Sequence, residues 1–268
     1  MNWQRILIGK WSWKRPFYTI AWVYGLLTFF AIFFADKLIF QPPNSPYPKD
    51  RSHFSSIGEG EEAIAIYALP AKPGRPTLLW SHGNAQNLES LYPLLNALHR
   101  QGFGVISYDY PGYGESGGNP SEKGCYRAIE ATYHHLIQNL STKAEDIILV
   151  GQSVGSGPSC WLAAQHPNRG LFLISPFLST FRTATRIPIF PADRFPNYKY
   201  IPKVTSPLLI IHGEEDQVVP FQHGKELFEL SPLKQKTFVP IPNAGHNDLF
   251  AQQSFDLVSL LRDFTKEK

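Results

Sequence analysis

Residues 147–150 (IILV) run straight into Gly151-Gln152-Ser153-Val154-Gly155, and a helical pattern begins at once. A strand that must become a helix across so short a turn has few backbone solutions. The two glycines permit a turn in which a side chain at either site would collide with the neighbouring strand or helix. Such a turn lifts Ser153 above the carboxyl end of a sheet. It also sets the serine at a helix N-terminus, where the macrodipole favours developing negative charge. Gly157 and Pro158 suit the first helical turn, where a missing N–H is harmless.

The chain around this turn alternates between two patterns. Apolar runs at 63–69, 77–80, 105–108, 147–150, 171–174, 208–211 and 237–241 read as strands. Most are rich in Ile, Leu and Val, as strands buried on both faces should be. Stretches at 92–100, 122–140, 155–166, 222–230 and 247–266 carry apolar residues at helical spacing. This alternation predicts an α/β fold with a mainly parallel central sheet flanked by helices. The interval 176–206 breaks the rhythm with five prolines and six aromatics. It is too long for an ordinary connection and reads as a short cap insertion or substrate-lining loop. Its Phe177, Phe181, Phe190, Phe195 and Tyr198 are expected to line a pocket for an acyl chain.

Ser153 is a weak nucleophile unless a base takes its proton. An acid and then a histidine are expected further along the chain. The run after the strand at 208–211 offers Glu214, Glu215 and Asp216, and the run after 237–241 offers His246 and Asp248. Both runs stand at the carboxyl ends of predicted parallel strands, where open α/β sheets bind ligands. His246 is the expected general base and Asp216 its orienting acid, with Glu214, Glu215 and Asp248 as rivals. Acyl transfer also needs donors aimed at a tetrahedral oxyanion. Val154 N–H, next to the nucleophile, is one expected donor. Asn84 N–H, in the loop Ser81-His82-Gly83-Asn84-Ala85-Gln86-Asn87, is the other. His82 itself reads as a strand-end histidine bonding the backbone. The loop from Asp109 to Ser116 reads as scaffold or pocket wall.

The N-terminal region is of another kind. Residues 17–34 (FYTIAWVYGLLTFFAIFF) hold no charge, and as a helix would span about 27 Å, close to the hydrocarbon thickness of a bilayer. Arg5, Lys10, Lys14 and Arg15 precede them, with Trp11, Trp13, Tyr18 and Trp22 at the interface position. No small-x-small cleavage site follows, so an uncleaved signal anchor is expected. The basic end should stay cytoplasmic, with the catalytic domain on the exoplasmic side. The expected organisation is a basic segment at 1–16, a transmembrane anchor at 17–40, a Pro-rich linker at 41–59 and a catalytic domain at 60–268.

The net charge of +3 resides in that N-terminus; the rest carries 21 basic against 22 acidic residues. Nucleic acid is therefore not an expected partner. Two cysteines, Cys125 and Cys160, exclude a disulfide scaffold and a cysteine-built metal site. The remaining histidines show no metal-ligand spacing, and phosphate-binding glycine loops are missing. No metal and no cofactor are expected.

Taken together, LLWSHGNAQN, DYPGYGESGG, LVGQSVGSG, SPFLSTF, DRFPN, LLIIHGEEDQVVP and NAGHNDL resemble the α/β-hydrolase superfamily. The likeness runs over about residues 60–267. More narrowly, these residues look like those of membrane-anchored serine hydrolases of the serine-aminopeptidase-like group, and are similar to the α/β-hydrolase-domain protein depalmitoylases. The resemblance implies the α/β-hydrolase fold and a Ser–Asp–His triad at Ser153, Asp216 and His246. It also implies oxyanion donors at Asn84 and Val154, and hydrolysis of esters, thioesters or, less often, amides. The depalmitoylases carry an N-terminal cluster of lipidated cysteines, whereas here a hydrophobic helix stands in that place. The expected activity is cleavage of a lipid-like acyl ester or thioester by a membrane-held enzyme. A serine peptidase is the alternative within this chemistry. A catalytically silent, membrane-tethered binding protein is the alternative outside it.

Overall fold

The computed structural model describes residues 13–43, 47, 52–185 and 193–266. Most of the basic segment expected at 1–16, much of the linker, and Phe190 lie outside the described residues. Eight strands form one sheet: β1 (Phe54–Ile57), β2 (Ile64–Leu69), β3 (Thr77–Ser81), β4 (Gly104–Tyr108), β5 (Ile147–Gln152), β6 (Gly170–Ile174), β7 (Leu208–Gly213) and β8 (Lys236–Ile241). Their order across the sheet is β1-β2-β4-β3-β5-β6-β7-β8. The run from β4 to β8 is parallel, while β1 and β2 pair antiparallel at one edge.

The side chains of each parallel strand divide between two cores, because successive residues point to opposite faces. Leu79, Leu149, Leu171, Leu173 and Ile210 face one core. There they pack under helices α3 (Glu122–Gln138) and α4 (Ser156–Ala163). Leu78, Trp80, Ile148, Val150, Phe172 and Ile211 face the other core, under α2 (Leu88–Arg100) and α8 (Leu257–Lys266). Both faces being covered explains why these strands read as unbroken apolar runs.

Three details depart from the expectations. Phe54–Ile57, within the stretch expected as linker, is a strand on the sheet edge, with Phe54 opposite Tyr67. Helix α2 begins at Leu88 rather than near residue 92. There the Asn87 side chain accepts from Ser90 N–H at 3.1 Å, and Ser90 Oγ accepts from Asn87 N–H at 3.0 Å. The single helix expected over 247–266 is instead one short turn, Leu249–Ala251, followed by α8. Asp256 starts α8 by accepting from Ser259 N–H at 3.1 Å and Ser259 Oγ–H at 2.6 Å.

The insertion at 176–206 contributes two short helices, α5 (Thr180–Thr185) and α6 (Asn197–Tyr200). Between β7 and β8 runs α7 (Phe221–Leu230). The N-terminal helix α1 (Arg15–Ile39) has a window of mean hydropathy 1.8 and is long and apolar enough to cross a membrane. Most of its large apolar side chains are exposed. Its C-terminal end is not: Ala31 and Ala35 are buried, and Phe40 just beyond is 4% exposed.

Candidate active site

Ser153 caps the carboxyl end of the central strand β5 with φ +51°, a left-handed backbone that a non-glycine residue seldom adopts. The flanking glycines hold it there. A Cβ on Gly151 would lie 2.7 Å from Gly155 O and 2.8 Å from Ser156 Cα. A Cβ on Gly155 would run into the Ser81 carbonyl at the end of β3. The turn is thus clamped between its own helix and the adjacent strand, and Ser153 stands partly exposed above it.

Two loops from neighbouring strands reach this serine. Asp216 follows β7 and His246 follows β8. The loops are joined by Glu214 N–H donating to Ile241 O at 3.0 Å and Glu215 N–H to Ala244 O at 2.9 Å. His246 Nε2 lies 2.9 Å from Ser153 Oγ, and His246 Nδ1 lies 2.7 Å from Asp216 Oδ2. The chain Ser153–His246–Asp216 is therefore continuous across 93 residues of sequence.

Asp216 is buried on all sides. Its Oδ1 accepts from Val218 N–H at 2.9 Å and Val219 N–H at 2.7 Å. Fully buried His212 places Nε2 3.4 Å from Oδ2. Burial by itself raises the carboxyl pKa, but the bonds from His212, His246 and Val219 outweigh it and hold Asp216 well below the usual carboxylate range. Glu214 and Glu215 point to solvent. Asp248 turns back to accept from Gly245 N–H at 2.6 Å. Among the four acids, geometry brings Asp216 to the imidazole.

Val154 N–H lies in the first helical turn after the nucleophile, where backbone donors lack intrahelical acceptors. Asn84 follows β3, next to Ser81 and His82, which Gly155 packs against. Neither N–H donates to another of the described residues. The loop from Asp109 to Ser116 supports this region. Asp109 Oδ1 accepts from Leu88 N–H at 2.9 Å, Tyr110 Oη–H donates to His82 O at 2.6 Å, and Tyr113 Oη–H donates to Asn84 Oδ1 at 2.7 Å. His82 bonds the Gly83 carbonyl through Nδ1 at 2.8 Å, as a strand-end histidine would.

The expected aromatic pocket is only partly open. Phe177 and Phe195 are 4% and 0% exposed and belong to the core beneath α3 and α4. The Phe195 ring fills the space left by Gly157, so these two rings hold the insertion down rather than line open volume. Phe181 and Tyr198 are half-buried, with the Arg182 guanidinium 4.1 Å from the Tyr198 ring centroid.

The histidine spacing hid one cluster. Glu130, His134 and His166 bring their ligating atoms within 4.8 Å of one another. Glu130 and His134 are one helical turn apart on α3, a visible signal, but His166 joins them only through the fold. The cluster lies at the far end of α4 from Ser153, and His166 Nε2 is 3.2 Å from Glu130 Oε1. Cys125 and Cys160 are free and buried, and burial pushes both thiols up.

The sequence pattern of the alpha/beta hydrolase fold family matches residues 76–199. The chain is 44% identical over 187 residues to alpha/beta hydrolase domain-containing protein 17C of Xenopus laevis, covering 67% of this chain and 60% of that protein. It is 39% identical over 201 residues to the human protein 17B, covering 71% of this chain and 67% of that protein. The chain thus spans about two thirds or less of the length of these relatives. Among solved structures, an esterase of Pyrococcus furiosus aligns with a TM-score of 0.67 at 18% identity, over 85% of this chain and 97% of that one. The monoacylglycerol lipase of Paleococcus ferrophilus aligns with a TM-score of 0.60 at 19% identity, over 76% and 99% of the two chains.

Proposed function

This chain belongs to the alpha/beta hydrolase fold family, and on that footing we propose that it is a membrane-anchored serine hydrolase of acyl esters or thioesters. The observation that carries the proposal is the unbroken relay from Ser153 Oγ through His246 to ionised Asp216.

In the proposed reaction, His246 Nε2 accepts the hydroxyl proton as Ser153 Oγ attacks the acyl carbonyl. Asp216, kept anionic by its donors, stabilises the imidazolium and fixes its orientation. The N–H groups of Val154 and Asn84 receive the oxyanion. His246 then gives its proton to the leaving oxygen or sulfur, which departs. Water then attacks the acyl carbonyl as His246 takes its proton, and His246 returns that proton to Ser153 Oγ as the carbon–oxygen bond breaks and the acid leaves. In this reading α1 holds the domain at a bilayer, where lipid-like acyl chains are concentrated, and the basic flank argues for an exoplasmic domain.

The test is labelling of the full chain in detergent by a fluorophosphonate probe, followed by turnover of lipid-like esters, acyl thioesters and peptides. Wild type is expected to label and Ser153→Ala not to. Labelling that survives in Ser153→Ala rejects the assignment, and absent labelling of folded wild type favours a silent binding protein. Turnover confined to peptides would move the activity to the peptidase alternative.

A further inference from the structure

The amide side chain of Asn84 is the meeting point of three segments distant in sequence. Its Nδ2 donates to the Ile39 carbonyl at 2.5 Å. Its Oδ1 accepts from Gln41 N–H at 3.0 Å and from Tyr113 Oη–H at 2.7 Å. Gln41 N–H also reaches Tyr113 Oη at 2.9 Å, closing the network. Two of these partners belong to the exit of α1, and Asn84 is the residue whose N–H the serine-hydrolase reading assigns as an oxyanion donor.

The exit of α1 is itself held by the folded body. Phe40 sits between Tyr113 and Phe195, with ring centroids 6.3 and 6.0 Å away in edge-on contact. Arg194 reaches back to α1, donating through Nε to Asp36 Oδ1 at 3.0 Å and through a terminal nitrogen to Ile32 O at 3.1 Å. Ala35 is 1% exposed, the small side chain that a close helix contact requires.

We propose that the exit of the N-terminal helix is a positioning element of the active site: residues 39–41 fix Asn84, and so fix the oxyanion donor. This rests on the serine-hydrolase reading above. A tether would need no contact with the catalytic loops. Here its backbone binds both ends of an amide whose own main chain serves the reaction. Oxyanion donors act through pre-set geometry, and losing one lowers kcat by about 10²–10³. A donor left in place but free to drift should lose less, about ten-fold.

Two substitutions on different elements release the amide without touching Ser153, His246 or Asp216. Gln41→Pro removes the N–H that donates to Asn84. Phe40 before it already has φ −90° and ψ 128°, the region a residue preceding proline adopts. Tyr113→Phe removes the hydroxyl that donates to the same oxygen. The experiment measures kcat and KM of the full-length variants in detergent, per serine labelled by fluorophosphonate, together with thermal midpoints. Each variant is expected to lose about ten-fold in kcat per labelled serine with KM little changed. Variants with wild-type kcat per labelled serine overturn the proposal, whatever their thermal midpoints. So does a loss carried in KM alone. Failure of wild type to label would instead reject the serine-hydrolase reading, so the two failures are distinct.

Discussion

At the scale of single residues, the site is set by contacts that leave little slack. Asp216 accepts from Val218, Val219 and His246, with His212 beside it, and these neighbours keep its charge. Asp216→Asn preserves the shape but offers His246 the wrong tautomer, so kcat should fall about 10⁴-fold with folding intact. Steady-state turnover with a circular dichroism control checks this. Gly155→Ala drives a methyl into backbone, with His82 O at 2.8 Å as well as the Ser81 carbonyl. Neither can yield without moving β3. The variant should lose about 1–3 kcal/mol or fail to fold, read as a lowered thermal midpoint. The elbow was legible because Gly151 and Gly155 are required by sterics that act within a few residues. Asp216 was expected from the sequence but with Glu214 and Glu215 left as rivals, since the choice depends on which side chain turns inward once the β7 and β8 loops are joined. No local signal announced Asn84 as a hub, because its partners Ile39 and Gln41 are 45 and 43 residues away.

Whole elements were read well where apolar content marks them and poorly where pairing alone makes the strand. Strands β3 to β7 announce themselves by apolar content. The edge strand β1, with the sequence FSSI, has only its ends apolar and is made by pairing with β2. The start of α2 was hidden because Ser90 stands at the capping-box position where glutamate or glutamine is the usual signature. Helix α7 carries an element-scale prediction. His223 receives Leu178 N–H from the insertion at Nδ1, at 3.4 Å. Burial, with the nearby His212 and Arg182 and against the opposing pull of Asp216, pushes its pKa down to about 4. In the unfolded chain a histidine titrates near about 6.5, so on acidification the unfolded state takes up the proton first. The stabilisation from neutral His223 is full above that value and is lost as pH falls towards about 4. His223→Gln should flatten the fall in thermal midpoint across this window, and parallel curves for the two proteins would contradict the assignment.

The whole molecule joins the α/β body to a helix whose last two turns are fastened to it. With Ile32 and Asp36 held by Arg194, residues 15–31 remain, about 26 Å of helix against the roughly 30 Å of a bilayer's hydrocarbon core. Under the proposed anchoring, the body then rests against the lipid surface beside the insertion. Acyl substrates in the same vesicle as the enzyme should be hydrolysed at least ten-fold faster than identical substrates in separate vesicles. Equal rates in the two arrangements would show that substrate arrives through water.

The grip of Asn84 on the backbone at Ile39 and Gln41 also bears on how such a protein is prepared. A truncation that removes the whole expected anchor, residues 17–40, would discard the Ile39 carbonyl and the Phe40 ring along with the grease. Its product would keep Ser153, His246 and Asp216 yet turn over sluggishly, and would invite the mistaken conclusion that the enzyme is intrinsically poor.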